Sequence, residues 1–310
     1  MSSTPLVSIV LATYNRCAIL SHAIDSVRRS TLEDWELIVV GDCCTDETAA
    51  VVASFGDPRI TFTNLERNVG EQSGPNNEGV RRARGRYLAF LNHDDLYFRD
   101  HLEVAVAHLE RTGSDFVWAP TILVMPVAAD GKWAMRVIGV TAGETYDPRT
   151  FVFASAWVMT RELAERVGPW RHASQTFATP SQDWLFRAWR SGVKMRRLPH
   201  PTVLAIPAKP RKGSYVMADS PEHEFFAAAM RADPMFREHA LSVACISAEQ
   251  EAHRYRLGRA LRSLVVRPIT AAAIRLGFHP YAPFFALRYG RRGNLVNAIR
   301  RHTGLGKMVR

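Results

Sequence analysis

Arg86-Tyr-Leu-Ala-Phe-Leu-Asn-His-Asp-Asp95 is the segment that decides how the rest of the chain is read. Its apolar stretch, Tyr87 to Leu91, has the character of a buried strand and ends abruptly in two adjacent carboxylates, Asp94 and Asp95. Paired acids at the end of a buried strand are costly unless a cation shares the place. In open α/β sheets the C-terminal ends of the strands are also where ligands bind. Carboxylate oxygens suit Mg²⁺ or Mn²⁺, ions that reach proteins through one or two carboxylates together with substrate phosphates. The other reading has Asp94 or Asp95 capping a helix that begins near Tyr97. The neighbouring segments favour the ion.

Upstream, Leu6-Val-Ser-Ile-Val-Leu11 reads as a fully buried strand, followed by a loop at Thr13-Tyr14-Asn15 and helical spacing from Ile19 to Arg29. Trp35 to Val40 is a second strand ending at Gly41-Asp42, and Thr45-Asp-Glu-Thr48 carries helix-opening residues. Arg59 to Thr63 is a third strand. Asn68 to Arg84 is a Gly/Asn-rich turn leading into a helix that Gly85 ends. Strands alternating with helices predict a mainly parallel sheet flanked by helices. Downstream, Phe116-Val-Trp118 and Ser155 to Met159 read as strands, with a hairpin signal at Ala129-Asp-Gly-Lys132 between them. Arg161–Val167 and Ser181–Ser191 read as helices, Val193–Val203 as one strand, and the chain beyond Pro207 as helical and basic.

The 310 residues suit one large domain or two small ones, and 47% hydrophobic content is ordinary for a globular protein. Four cysteines (17, 43, 44, 245) show no metal spacing. With a polar N-terminal segment lacking an apolar leader, they read as reduced thiols of a cytoplasmic protein. No apolar run reaches the roughly 18–20 residues that span a bilayer. The net charge of +10 is uneven: residues 251–310 hold 13 Lys/Arg against Glu251 alone, whereas the first 250 hold 27 bases and 29 acids. A basic tail on a near-neutral body points to an anionic partner surface.

Three strand ends besides Asp94 carry candidate chemistry. Tyr14 offers a flat face for a base, or core packing. Asp42 offers an acceptor for a base edge, or a cap. Asn68-Val-Gly70 with Asn76-Asn77 and Gly79 makes a turn into a helix whose first amides favour phosphate, or plain turn chemistry. Asp183 lies in the first turn of a helix, where most acids are structural. Beside a metal–diphosphate site, an ionised Asp183 is a sensible general base for an acceptor hydroxyl.

Taken in order, Val7-Ser-Ile-Val, Thr13-Tyr-Asn15, Val39-Val-Gly-Asp42, Thr45-Asp46, Asn68-x-Gly70, Asn77-x-Gly79, Ala83-x-Gly85, Leu91-Asn-His-Asp-Asp95 and Gln182-Asp-Trp184 resemble family 2 glycosyltransferases over roughly residues 5–205. The resemblance implies a GT-A-type, Rossmann-like sheet and a nucleotide-diphospho-sugar, UDP-sugar first. It implies donor contacts from Thr13, Tyr14, Asn15, Asp42, Asn68, Gly70 and Asn77, with Tyr14 on the base and Asp42 at its edge. Asp94, with Asp95, would hold Mn²⁺ or Mg²⁺ on the diphosphate, and Asp183 would activate the acceptor hydroxyl, giving inversion. The sequence departs from the family pattern at Asn92, where the first acid of the metal motif is usual, and at Gly41, Cys43-Cys44, Asn76 and Gln182.

Residues 206–310 are expected to form a basic, mainly helical extension. Leu257, Leu261, Leu264 and Val265 share one helical face with Arg256, Arg259 and Arg262 opposite. Such a face suits either an anionic membrane surface on the inner side of the cytoplasmic membrane or packing on the body. Lys209-Pro-Arg-Lys-Gly-Ser-Tyr215 reads either as a loop closing over the diphosphate or as a linker. No nucleic-acid module accompanies the charge. The expected activity is sugar transfer to a glycan or lipid-linked hydroxyl in cell-surface polysaccharide synthesis. The rivals are a nucleotide- or carbohydrate-binding protein without turnover and a nucleotidyltransferase.

Overall fold

The computed structural model describes residues 4–126, 133–207, 212–215 and 220–308, with backbone alone for 250–263. Strand and helix alternate first as β1 (Val7–Thr13), α1 (Cys17–Arg28), β2 (Trp35–Gly41), α2 (Thr48–Ser54), β3 (Ile60–Asn64), α3 (Ser73–Arg82) and β4 (Tyr87–Asn92). Then come β5 (Asp95–Tyr97), α4 (His101–Thr112), β6 (Phe116–Trp118), β7 (Thr121–Pro126), β8 (Trp133–Ile138), β9 (Trp157–Thr160), α5 (Arg161–Val167), α6 (Pro180–Arg190), β10 (Met195–Arg197) and β11 (Val203–Ala205). Four helices follow: α7 (Pro221–Ala232), α8 (Phe236–Arg275), α9 (Ala282–Tyr289) and α10 (Asn294–Thr303).

The main sheet runs β10-β6-β9-β4-β1-β2-β3, with β1 to β4 parallel and β9 antiparallel to both its neighbours. Central parallel strands are covered on both faces, which is why β1 and β2 are nearly unbroken apolar runs. Val7, Ile9, Val10, Leu11, Leu37, Val39 and Val40 have no exposed surface. Helix α3 lies so close on β1 that a β-carbon at Gly79 would sit 2.3 Å from Val10 Cγ1, which explains that glycine.

Register places the functional loops. Thr13 pairs with Gly41 and Ala12 with Asn92, so β1, β2 and β4 end level and their following loops share one edge. Strand β1 sits between β2 and β4, where the chain order turns outward in both directions. That is the switch point at which open α/β sheets form their ligand crevice.

Two expectations are corrected here. No helix begins near Tyr97: residues 95–97 are β5, pairing with β11, and α4 starts at His101 after Asp100. Neither Asp94 nor Asp95 is therefore a helix cap. The single strand expected over 193–203 is two short strands in different sheets, because residues 198–202 turn the chain from β6's side to the second sheet, β5-β11-β7-β8. The hairpin signal at 129–132 falls outside the described residues, and β7 and β8 on either side of it pair antiparallel. Residues 209–211 of the basic loop also lie outside the description.

Part of the extension packs on the body. Phe226 and Ala227 of α7 and Ala240 and Ala244 of α8 join Leu96, Ile122, Val124 and Leu204 in a second core beneath the small sheet. Farther along, Leu264, Val265, Leu276, Phe278 and Leu287 are exposed. The side chains of Arg256, Leu257, Arg259, Leu261 and Arg262 lie outside the description.

Candidate active site

A cavity of about 300 Å³ opens at the level ends of β1, β2 and β4. Its near wall comprises Thr13, Tyr14, Asp42, Gly70, Glu71 and the Asn92-His93-Asp94 turn, with Thr179 and Pro180 at the start of α6. Its far wall comes from the extension, through Tyr215, Val296, Ile299, Arg300, Thr303 and Leu305.

Asp42 organises the near wall. Its Oδ1 accepts from the Val69 amide at 2.7 Å and its Oδ2 from the Gly70 amide at 2.8 Å, while Asn68 Nδ2 donates to its carbonyl at 2.7 Å. The turn works because Gly70 takes φ +84°, a conformation that favours glycine. Burial pushes the Asp42 carboxyl upward, and the two amides oppose that shift. Each carboxylate oxygen keeps a second lone pair, so the group can still accept from a base edge. Asn15 and Asn68 act as struts. Asn15 accepts from the Thr45 amide at 2.8 Å and donates to Thr45 Oγ1 at 3.2 Å, tying the first loop to the second. The buried Thr13 hydroxyl, on the cavity lining, has no partner among the described residues.

Two of the expected site residues point elsewhere. Asn77 donates to the Trp170 carbonyl at 3.0 Å and accepts from the Trp170 amide at 2.8 Å, so its amide is spent at both ends outside the cavity. Its task is to seat Trp170, which stacks with Trp157 and Trp184 and anchors α6. Asp95 lies in β5, 2% exposed, where its Oδ2 accepts from Ser155 Oγ at 2.5 Å and Asn92 Nδ2 at 2.8 Å. Burial and the neighbouring Asp94 charge raise its carboxyl well above the usual range. Asp94 belongs to the turn that precedes β5, whereas Asp95 begins the buried strand, so the two acids separate, and Asp95 is an internal brace.

Asp94 stays on the cavity lining. No group of three or more His, Cys, Asp or Glu among the described residues is arranged to hold a metal ion. One cavity carboxylate fits Mn²⁺ or Mg²⁺ only if phosphate oxygens and water complete the shell, as is usual for ions that arrive with a nucleotide. Asp183 sits one helical turn beyond Thr179 and Pro180. Its carboxylate accepts from Arg187 Nε at 3.1 Å and lies 3.7 Å from Arg171, and it is not itself part of the lining.

The far wall was only partly legible in the sequence, through the loop reading of the segment that ends at Tyr215. Tyr215 is half-buried with its hydroxyl 3.2 Å from His93 Nε2, and Arg16 lies over its ring at 5.1 Å. Burial lowers the pKa of His93, and the ring tautomer sets which of the two groups donates. The Tyr215 amide donates to the Thr303 carbonyl at 3.0 Å and the Gly213 amide to His302 at 2.9 Å, clipping this strap to α10. Arg300 donates to the Gly70 carbonyl and, through Nε, to Gly306 at 2.7 Å. Glu71, also on the lining, carries a carboxyl that burial pushes up and hydrogen bonds from Ser73 pull down. The sequence signals for these groups were the basic stretch ending at Tyr215, read as a closing loop or a linker, and the arginine-rich tail, which does not say where α10 docks.

Known proteins fit this geometry. Putative teichuronic acid biosynthesis glycosyltransferase TuaG of Bacillus subtilis is 32% identical over 46% of this chain and 56% of its own length. UDP-Glc:alpha-D-GlcNAc-diphosphoundecaprenol beta-1,3-glucosyltransferase WfgD of Escherichia coli is 34% identical over 41% and 50%. The matched part thus spans about half the length of these relatives. Staphylococcus aureus TarS residues 1–349, solved in complex with UDP-GlcNAc, superposes with a TM-score of 0.55 at 16% identity, covering 86% of this chain and 80% of that one. The fold is therefore of the GT-A type expected from the sequence. The model for Glycosyl transferase family 2 matches residues 8–168, from β1 to just past α5 and so through every near-wall loop up to Asp94, and this chain belongs to that family.

Proposed function

We propose that the protein transfers a hexose from a UDP-sugar to a hydroxyl of a glycan or lipid-linked acceptor, with inversion, in cell-surface polysaccharide synthesis. The observation that carries this reading is the level ending of β1, β2 and β4, which gathers Tyr14, Asp42 and Asp94 around one cavity. The names of its relatives support it: teichuronic acid biosynthesis, colanic acid biosynthesis and glucosyl transfer from UDP-Glc.

In this reading Tyr14 lends its ring face to the uracil and Asp42 accepts from the uracil edge. The amide turn at Gly70 and the Asp94 side chain face the diphosphate. A divalent ion held by Asp94, when bound, neutralises charge on the departing UDP. Asp183, released from Arg171 as acceptor and donor enter, takes the acceptor's hydroxyl proton, and the oxygen attacks the anomeric carbon opposite the leaving group. Asn77 and Asp95 have no part in this scheme beyond holding α6 and β5.

We also propose a transferase body at 5–205 served by the extension at 206–310. Among the described residues no helix is long and apolar enough to cross a membrane. The exposed Leu264, Val265, Phe278 and Leu287, together with the basic tail, support peripheral contact with an anionic inner-membrane face.

The test is release of UDP from a panel of UDP-sugars with Mn²⁺. Turnover with one of them, lost in Asp94→Asn, is the expected result. Tight UDP binding with no release from any nucleotide-sugar would instead assign a binding protein, and pyrophosphate release from a nucleoside triphosphate and a sugar phosphate a nucleotidyltransferase.

A further inference from the structure

Helix α10 has two working faces. Val296, Ile299, Arg300 and Thr303 line the donor cavity, at the spacing of one helical stripe. Asn294, Asn297 and Arg301 form another stripe, and they line a second cavity of about 670 Å³. Apart from Tyr289 its titratable lining is basic: Arg288, Arg292, Arg301, Lys307 and His172, with no carboxylate. None of the four Arg and Lys side chains is ion-paired among the described residues.

The four Arg and Lys side chains are exposed at the cavity rim. The Arg288 guanidinium lies 5.5 Å from the Tyr289 ring centre and that of Arg292 5.4 Å from Phe177, contacts that favour two planar forks there. The Asn297 carbonyl oxygen is taken by the Met308 amide at 2.9 Å, leaving its NH₂ to donate. His172 Nδ1 accepts from the Ser174 amide at 3.2 Å, which leaves Nε2 as the ring's donor. Cations gathered without counter-charge repel one another and create a strong positive potential. A compact ligand with several negative oxygens relieves both, and Arg forks bind phosphate oxygens in pairs.

The two cavities adjoin. Glu71 lines the first, and its carboxylate is 3.9 Å from His172 Nε2, which lines the second. We propose that the second cavity binds a diphosphate group, borne by a lipid-linked acceptor or by a soluble diphosphate ester, and so anchors that molecule beside the transferred sugar. The role as an acceptor anchor rests on the donor-cavity reading above; the diphosphate site itself does not.

The experiment titrates full-length protein with inorganic pyrophosphate, without divalent cations and in the presence of saturating UDP. Wild type should still bind pyrophosphate. Arg301→Ala/Lys307→Ala, which alters two exposed side chains with no ring contact, should weaken that binding by about 10–100-fold with UDP affinity unchanged. Arg288→Lys/Arg292→Lys should recover only part of the wild-type affinity, since lysine lacks the fork. Sedimentation with phosphatidylcholine vesicles, plain or doped with a polyprenyl diphosphate, separates the sources. Selective pelleting with the doped vesicles, lost in the double variant, marks a lipid acceptor, and pyrophosphate binding without it marks a soluble ester. Pyrophosphate displaced by UDP, equal affinity in the double variant, or no binding of either probe by wild type would each overturn the proposal. Failure of UDP to bind would sink the donor reading and leave the pyrophosphate titration interpretable.

Discussion

The near and far walls of the donor cavity are held by different physics. On the near side, Tyr14, Asp42 and Asp94 leave strand ends locked in register by parallel ladders with no exposed apolar surface at the centre of the sheet. On the far side, Tyr215 and Arg300 are held by a few hydrogen bonds from a strap and a ten-residue helix, reaching back to loops some 200 residues earlier. On the proposed function, near-wall groups placed rigidly would read the nucleotide and far-wall groups placed more lightly would cover it, as a cavity needs if a large substrate must enter and UDP must leave.

The comparison can be broken or sharpened by substitution. The largest effect is expected at Asp183, which belongs to neither wall. Asp183→Asn should lower turnover by about 10²–10⁴-fold with UDP affinity nearly intact. A variant that lost affinity and kept turnover at saturation would make Asp183 part of the donor wall. Next comes Asp42→Ala, which strands the Val69 and Gly70 amides at a cost of about 1–3 kcal/mol for each buried group left unpaired. It should lower the urea midpoint and UDP affinity together, because the same carboxylate builds the turn and faces the base. Arg300→Ala should weaken UDP binding by about tenfold, the worth of roughly one charge-assisted contact, with little change in the urea midpoint. If Arg300→Ala destabilised the fold as much as Asp42→Ala, the two walls would not differ as described.

The smallest effect concerns a helix that supports the near wall. Glu78 is held down to about 2 by hydrogen bonds from Arg81 and Arg82. Its folded pKa is below the ordinary value of 4.5, so the native state binds fewer protons in that window. The stabilisation is present above about pH 4.5 and lost as pH falls through about 2. Glu78→Gln should flatten that part of a thermal-unfolding pH profile slightly, since the pair is largely exposed to water.

Legibility in the sequence follows the same division. The strands over 7–13, 35–41 and 87–92 announce themselves by apolar β-branched runs, and the polar residue after each is then a site candidate by topology. That logic reached Tyr14, Asp42 and Asp94, which line one cavity. It failed at Asp95, because the chain passes from an open turn at Asp94 into the buried strand β5, and at Asn77, because helix α3 turns that amide toward Trp170. For Tyr215 the sequence left a closing loop and a linker equally open, and Arg300 was beyond it, since no periodicity encodes which remote surface a helix will meet. The break between β10 and β11 was missed for a related reason: an apolar run does not reveal which of two sheets each half joins.

Arg16 donates to the Ser214 carbonyl and Arg300 to that of Gly70, so the first loops of the chain are completed by segments translated long after them. During synthesis the sheet can form and present Tyr14, Asp42 and Asp94 while α10 is still inside the ribosome. A nascent chain at that stage has the near wall of the cavity without Tyr215 and Arg300 opposite it, and on the proposed function would hold UDP-sugar less well. Contacts of such long sequence separation also form late in refolding. Recovery of the sheet, seen by far-ultraviolet dichroism, should therefore precede recovery of nucleotide binding after dilution from urea.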